Sequence, residues 1–401
     1  MGTQTGAGTV VLDIAQPLRI ALLSGPMVRI PPPGYAGTER IVAVLVEELV
    51  RRGHQVTLIG PGDSNVSCEL IPTIERALWS SGMRGDLTPY IQVSMERAWS
   101  VHERFDVMHS HLDTYSFGLA RHCATPVVHT LHGRLDTPGV PELLDEFTEI
   151  PLVAISESQR RWWPDNNWVA TVHHGLPLEN APFSPEAGNY LVLVGRIAEE
   201  KGVQEAIDLA RMTRLPLRIA AKVHEDAERY LFQQIVQPAI DEGVVEFVGE
   251  LANDRRDELL AGARATLMLG AWPEPFGLVA IESMATGTPV IGRRAGALTE
   301  LIEHGENGFL VDDLMEARFA VQEVGEIDRA FVRERAIERF SVERMVDEYE
   351  AVYRVLAAGG RRETPGTEQA PPDAGRMGRS PASSQARSQR PRPQAARAVV
   401  T

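Results

Sequence analysis

Residues 271–290 read AWPEPFGLVAIESMATGTPV, and this stretch predicts a loop that leads into a helix near Gly277. An apolar run ending at Leu269 precedes it, so the predicted order is strand, loop, helix. Free backbone amides at a helix start form an anion site, and a glycine there lets a ligand approach the backbone closely. Glu274 lies just before the helix and Glu282 eight residues later, at most roughly 12 Å along a helix axis. This spread suits an elongated ligand with phosphates in its middle and hydroxyl groups at both ends.

Residues 191–202, LVLVGRIAEEKG, place two cations in a loop after another apolar run. Arg196 and Lys201 would lie at the carboxyl edge of a parallel sheet, where open α/β sheets bind ligands. A diphosphate needs such cations, and carboxylates such as Glu274 and Glu282 accept hydrogen bonds from vicinal hydroxyls. The four residues together indicate a nucleoside-diphosphate sugar, which carries a ribose diol, a diphosphate and a hexose. The alternative is that both cations form ordinary surface ion pairs with neighbouring glutamates.

Short apolar runs alternate with amphipathic segments along most of the chain, and the pattern restarts near residue 185. Alternation of strand and helix predicts parallel sheets that are covered by helices on both faces. We therefore predict an α/β fold with two doubly wound domains that join around residues 175–188. The predicted strands are 18–24, 56–60, 105–110, 125–131, 152–155, 190–194, 217–221, 245–248, 266–269 and 289–291.

Residues 341–356 carry apolar side chains at helical spacing and have no strand after them. This last helix must bury its apolar stripe against an element formed earlier in the chain. The segment 359–401 has no aromatic residue and carries eight arginines, which predicts disorder. A solvated tail and a tail that contacts an anionic surface both remain open. The predicted units are a flexible start 1–16, a first domain 17–175 completed by helix 341–357, a second domain 185–340 and the tail 359–401.

The composition excludes several classes of protein. The chain has 401 residues with 40 Lys+Arg against 55 Asp+Glu, and the net charge of −15 disfavours sequence-independent nucleic-acid binding. No apolar run in the sequence approaches the roughly 18–20 residues that span a bilayer, and the first ten residues lack the features of a signal peptide. The two cysteines, Cys68 and Cys123, fit a reducing compartment. We expect a cytoplasmic protein that binds no nucleic acid.

Several motifs together resemble a known family. Glu274-Pro-Phe-Gly-Leu, Glu282 in an E-x7-E spacing and Gly287-Thr-Pro-Val are similar to the retaining family-4 (group 1) glycosyltransferases of the GT-B fold. The resemblance covers residues 18–357, and it implies two Rossmann-like domains that face an interdomain cleft. It also implies that the last helix crosses back to the first domain. Further matching motifs are Gly195-Arg196 with Lys201-Gly202, Phe247-Val248-Gly249, Thr130-Leu-His132-Gly133 and Gly305-Glu-Asn-Gly308-Phe-Leu-Val.

The resemblance implies a role for each candidate residue. Arg196 and Lys201 would hold the diphosphate. Glu282 would bind the ribose, and Glu274 would bind hydroxyls of the donor sugar. His132 would face that sugar across the cleft and orient it or stabilise the transition state. The catalytic set is Arg196, Lys201, Glu274 and His132, and the donor-binding set is Gly37, Gly277, Leu278, Glu282, Phe276 and Val248.

Two further points concern the first domain. Gly37 would bring the start of a helix to the phosphate, but the family commonly has two glycines here and Ala36 replaces the first. Since alanine resists positive φ, this departure puts the shape of the loop in question. The cluster His109-Ser-His111 with Asp113 fits either a metal site or a strand end at the acceptor cleft. The resemblance implies no metal and no other cofactor.

The predicted function is transfer of a sugar from a UDP- or GDP-linked donor to an acceptor hydroxyl, with retention of the anomeric configuration. Two alternatives remain, a nucleotide-sugar 2-epimerase of the same architecture and a catalytically silent nucleotide-sugar-binding protein. The donor's base and sugar, the acceptor (a saccharide, a lipid-linked molecule or a small molecule), peripheral membrane contact and the oligomeric state stay open at this level.

Overall fold

The computed structural model describes residues 16–34, 36–83 and 85–360. The start of the chain before residue 16 and nearly all of the segment 359–401 lie outside these ranges. The predictions made for those two segments therefore stay predictions.

Thirteen described strands form two parallel sheets, as the alternation of strand and helix predicts. The first sheet has seven strands in the order β3-β2-β1-β4-β5-β6-β7, and the second has six in the order β10-β9-β8-β11-β12-β13. The strands are β1 Arg19–Leu23, β2 Gln55–Gly60, β3 Glu69–Pro72, β4 Val107–Ser110, β5 Val127–Thr130, β6 Leu152–Ala154, β7 Trp168–Thr171, β8 Leu191–Arg196, β9 Leu217–Lys222, β10 Val245–Phe247, β11 Ala265–Met268, β12 Val290–Arg293 and β13 Gly308–Val311.

Helices follow most of the strands, and both sheets have the doubly wound arrangement of the GT-B fold. None of the described helices combines the length and the apolar character that crossing a bilayer requires. The helices are α1 Gly37–Arg51, α2 Thr88–Trp99, α3 Phe117–Ala120, α4 Val140–Glu146, α5 Glu157–Arg160, α6 Val203–Thr213, α7 Asp226–Leu231, α8 Gln237–Asp241, α9 Asn253–Ala261, α10 Leu278–Ala285, α11 Leu298–Leu301, α12 Leu314–Glu323, α13 Arg329–Arg339 and α14 Val342–Gly360.

The last helix, α14, crosses back to the first sheet, which confirms the prediction for the helix that has no strand after it. It packs against α1, β4 and β7. Tyr349 and Tyr353 are fully buried in this contact. Their hydroxyls bond to the first sheet, Tyr349 with Thr130 Oγ1 at 3.0 Å and Tyr353 with His109 Nδ1 at 2.7 Å. The apolar stripe and these two hydroxyls together hold α14 against the first sheet.

Apolar and polar contacts join the two sheets. A single cluster of buried apolar residues contains side chains of β1, α1, α10, α13 and α14. Ser156, at the start of α5, donates to the carbonyl of Pro275 at 2.8 Å. The carboxylate of Glu300 in α11 accepts hydrogen bonds from the amides of Glu157 at 2.9 Å and Ser158 at 2.6 Å. These contacts fix the loops that lie between the two sheets.

Gly175 lies where the chain leaves the first sheet and meets the start of α14. A Cβ at this position would be 2.2 Å from the carbonyl oxygen of Ser341 and 3.0 Å from Cβ of Met345. Because the nearest atom belongs to the backbone, a larger residue here has to displace α14.

We predict that Gly175→Ala lowers the free energy of unfolding by about 1–3 kcal/mol, the usual effect of overpacking. The matched control is Gly118→Ala, since a Cβ on Gly118 meets nothing within 4 Å. Urea unfolding monitored by circular dichroism measures both variants. Equal stability of Gly175→Ala and Gly118→Ala would contradict the close packing of α14.

Candidate active site

A cleft of about 460 Å³ opens where the carboxyl ends of the two sheets face each other. Eight of the ten predicted site residues line it, so residues more than 200 positions apart in the sequence meet in one place. They are Gly37, His132, Arg196, Lys201, Glu274, Phe276, Gly277 and Leu278. The structure thus brings together the full set predicted as catalytic and most of the donor-binding set.

Two helices begin at this cleft, one from each half of the molecule. α1 begins at Gly37 and α10 at Leu278, after Gly277 with a φ of +106°. The two starts almost touch, because a Cβ on Gly37 would lie 3.3 Å from Cδ1 of Leu278. Unpaired amides and the positive ends of both helix dipoles therefore face the same space, which favours an anion. Ala36 has an extended backbone with a φ of −151°, so its replacement of a glycine introduces no strain.

Three cations lie on the second-domain wall of the cleft. Lys201 forms an ion pair with Glu274, and Arg196 bonds to Glu200 at 2.7 Å. Lys222, which the sequence analysis missed, ends β9 directly beside Arg196 in the sheet register and also lines the cleft. The sequence does indicate this position, since Lys222 directly follows the apolar run 217–221 and therefore lies at the same sheet edge as Arg196.

The backbone of Glu274 is held by the loop before α11. Gly296 has a φ of +59°, and a Cβ there would lie 2.5 Å from both the nitrogen and the carbonyl oxygen of Glu274. The amide of Ala297 donates to that carbonyl at 2.9 Å. Only glycine permits this close approach, so the loop sets the position of Glu274 at the cleft.

Two predicted donor-binding residues do not line the cleft. Glu282 is buried in α10 with 3 % of its side chain exposed, and its Oε1 is paired with Arg40 and, at 3.0 Å, with Arg256. Its Oε2 is buried without a hydrogen-bond partner. Val248 follows β10, and its amide donates to the carbonyl of Ile219 at 3.0 Å. The ion pairs of Glu282 therefore join α10 to α1 and α9. Neither Arg40 nor Arg256 was predicted from the sequence as a partner of Glu282.

The side chains of His109, His111 and Asp113, which fitted a metal site in the sequence, form hydrogen bonds with other groups of the protein. His109 bonds to Tyr353 and Thr130, and the Asp113 carboxylate accepts from the backbone amide of His132 at 2.8 Å. Within residues 16–34, 36–83 and 85–360, no three His, Cys, Asp or Glu side chains come together as metal ligands would. The strand-end interpretation of this cluster therefore agrees with the geometry.

A group of histidines is packed behind and beside His132. The His132 ring stacks on His174 with centroids 5.3 Å apart, and His174 contacts Phe276 edge to face at 4.8 Å. Burial lowers the pKa of every member of this group, to about 3 for His129 and His132. The group is His109, His111, His129, His132 and His174.

We predict that the free energy of unfolding falls as the pH is lowered from 7.0 to 5.5. In the unfolded chain these histidines take up protons below about pH 6.5, whereas the folded chain keeps them neutral. Stability is therefore full above pH 6.5 and is lost as the pH falls, by up to about 1.4 kcal/mol per pH unit for each histidine. Urea unfolding at both pH values measures the loss.

His129→Gln should reduce this pH dependence by the share of one histidine. The matched control is His122→Gln, because His122 lies exposed on the surface. Burial raises the pKa of the Glu39 and Asp113 carboxyls, an effect of opposite sign that the wild type and both variants share and that therefore cancels in their comparison. Equal stability at pH 7.0 and 5.5 would show that the histidines titrate in the folded state.

Family models and sequence relatives show that the chain is similar to glycosyltransferases. The model described as Glycosyltransferase Family 4 matches residues 35–189, and the model described as Glycosyl transferases group 1 matches residues 178–322. The phosphatidyl-myo-inositol mannosyltransferase of Mycobacterium leprae is 24 % identical over 361 residues, which is 81 % of this chain and 95 % of that protein.

Solved structures show the same fold at lower identity. The sucrose-phosphate synthase of Thermosynechococcus elongatus superposes with a TM-score of 0.69 at 21 % identity, over 85 % of this chain and 99 % of that one. Anabaena HepE in complex with UDP-glucose superposes with a TM-score of 0.63 at 19 % identity, over 84 % and 99 % of the two chains. Both similarities concern the architecture of two domains around a cleft.

Proposed function

This chain belongs to the group 1 glycosyltransferases of family 4, and we propose that it transfers a sugar from a UDP- or GDP-linked donor to an acceptor hydroxyl with retention of configuration. The observation that carries the proposal is the convergence of Arg196, Lys201, Lys222 and two helix starts on one cleft. Three carboxylates, Glu39, Glu200 and Glu274, line the same cleft, so its ionised side chains nearly balance, and the two helix starts add the positive ends of their dipoles. A diphosphate that displaced the carboxylates from the cations would be bound by both the cations and the helix starts. The complex of Anabaena HepE with UDP-glucose is consistent with a donor of this class.

The cations would stabilise the leaving group. Negative charge grows on the nucleoside diphosphate as its bond to the anomeric carbon breaks, and Arg196 and Lys201 can neutralise it together with the amides at the start of α10. Lys201 pairs with Glu274. A bound diphosphate would replace Glu274 as the partner of Lys201 and leave the Glu274 carboxylate to accept hydrogen bonds from the donor sugar.

We propose front-face attack as the route to retention. The acceptor oxygen forms a bond to the anomeric carbon while the bond from that carbon to the phosphate oxygen breaks. The acceptor's proton passes to the phosphate oxygen that leaves on the same face. Glu274 and His132 would orient the sugar from opposite walls of the cleft, and closure of the cleft would exclude water as a competing acceptor.

Glu282 is the proposed ribose ligand, and because its side chain is buried and does not line the cleft, binding requires a movement that exposes Oε2. Oε2 is buried and lacks a hydrogen-bond partner, whereas Oε1 is already paired with Arg40 and Arg256. A ribose hydroxyl that donated to Oε2 would satisfy this atom, which otherwise carries an uncompensated desolvation cost of about 1–3 kcal/mol. Glu282 would then connect the ribose to Arg40 in α1 and Arg256 in α9.

We predict that Lys201→Ala lowers turnover by about 100-fold or more, because it removes a cation that stabilises the departing diphosphate. Release of the nucleoside diphosphate, followed with a coupled assay, measures the effect. Arg255→Ala is the matched control, since the Arg255 side chain is 69 % exposed on α9, where it pairs with Glu258. Near-normal turnover in Lys201→Ala would contradict the assignment.

We also predict that one class of nucleotide sugar raises the melting temperature of the protein. Binding to the folded state alone adds about 2.7 kcal/mol when the ligand concentration is 100 times Kd. Thermal unfolding with UDP-, GDP- and ADP-sugars, each at millimolar concentration, identifies the base. Glu282→Gln should weaken the shift, because it removes the charge that accepts the ribose hydroxyl. Identical melting temperatures with every nucleotide sugar would oppose the proposed donor class.

A further inference from the structure

Two histidines share one hydrogen bond at the first-domain wall of the cleft. Nδ1 of His111 and Nε2 of His132 lie 2.9 Å apart. His132 lines the cleft, and His111 lies behind it with 4 % of its surface exposed. We propose that His111 is a positioning residue that holds His132 in the tautomer with its hydrogen on Nδ1, so that His132 offers an N–H donor to a ligand oxygen. Only the identity of that ligand, the donor sugar, rests on the proposed function.

The number of protons on the two imidazoles limits their hydrogen bond to two arrangements. Burial lowers the pKa of both imidazoles well below neutrality, so each ring carries one hydrogen at pH 7.5. A hydrogen bond between two neutral imidazoles needs one donor and one acceptor. Either His111 donates from Nδ1, and the hydrogen of His132 lies on its Nδ1, or His132 donates from Nε2, and the hydrogen of His111 lies on its Nε2.

The surroundings of His111 decide between these two arrangements. Its Nε2 is buried without a hydrogen-bond partner. If His132 were the donor, this atom would be an orphaned buried N–H, a situation that folded proteins largely avoid and that costs about 1–3 kcal/mol. A bare acceptor nitrogen is tolerated more often than an orphaned donor. His111 therefore donates from Nδ1, and the hydrogen of His132 is left on Nδ1.

The rest of the cluster holds both rings in this arrangement. His111 follows β4 directly, and its amide donates to the carbonyl of Leu23 at 2.9 Å. Its ring packs on His109 with centroids 4.0 Å apart. On the other side, the Asp113 carboxylate accepts from the backbone amide of His132, and His174 stacks on the His132 ring. Since packing fixes the ring planes, the single hydrogen bond from His111 selects the tautomer.

This assignment restricts the ligand group that faces His132. A neutral imidazole with its hydrogen on Nδ1 donates to an oxygen, such as a hydroxyl, a carbonyl or a carboxylate. It repels an ammonium or an amide N–H in the same place. Under the proposed function, the donor sugar would present an oxygen acceptor to His132.

The test is the tautomer of His132 in the full chain without any ligand. Long-range ¹H–¹⁵N spectra of the protein labelled with ¹⁵N-histidine show, at pH 7.5, which ring nitrogen carries the hydrogen. Loss of a signal in His132→Gln identifies His132. We expect the Nδ1–H form in the wild type and in His111→Asn, whose amide donates from nearly the same place. We expect the Nε2–H form in His111→Asp, because the carboxylate only accepts hydrogen bonds and therefore requires a donor at Nε2 of His132.

An Nε2–H form of His132 in the wild type would overturn the proposal, and so would a spectrum of His132 that is identical in the wild type and in His111→Asp. If His111→Asp fails to unfold cooperatively, the wild type and His111→Asn decide on their own. His122→Gln is the surface control and should leave the His132 signals unchanged. Because no nucleotide sugar is added, an inactive protein would oppose the proposed function and leave this test intact.

Discussion

Two helix starts, three cations and three carboxylates meet in one cleft, and the balance of these charges is the constraint on which the rest of the molecule depends. α1 and α10 come from different halves of the chain, and their dipoles point their positive ends toward the same space. This arrangement disfavours approach of the two halves unless other contacts hold them. Arg40 and Arg256 both pair with the buried carboxylate of Glu282 at this junction, so these three side chains together carry one positive charge. A bound diphosphate would complete the balance.

The crossing helix α14 also stabilises the wall that carries His132. Tyr353 bonds to His109 in β4, and Tyr349 bonds to Thr130 in β5. His111 and His132 lie two residues after His109 and Thr130, just beyond the ends of β4 and β5. His132 lines the cleft, and His111 lies behind it. A helix at the end of the described chain therefore supports the two strand ends that position the histidine pair. Packing of α14 and the geometry of the cleft are expected to change together in variants of this contact.

Much of the fold was predictable because the signals are local. Apolar runs such as LVLVG and the amphipathic helix at 341–356 depend on residues a few positions apart. Three strands were not predicted, namely β3, β7 and β13, and each of them is the outermost strand at one edge of its sheet. β3 contains Glu69 and ends at Pro72, and half-exposed edge strands lack the continuous apolar run of a central strand. Their pairing depends on the neighbouring strand.

The sequence by itself determined the class of fold and the helix start after Gly277, because glycines and apolar periodicity act over short stretches. Loop positions and the resemblance to a known family together named eight residues that meet in the cleft. The tertiary structure decided the partners. Arg40 meets Glu282 across 242 positions, and Tyr353 meets His109 across 244. Lys222 joins Arg196 only because β8 and β9 pair in one register. The tautomer of His132 depends in the same way on the burial of its neighbour, since the state of a polar group is set by whatever the folded chain packs around it.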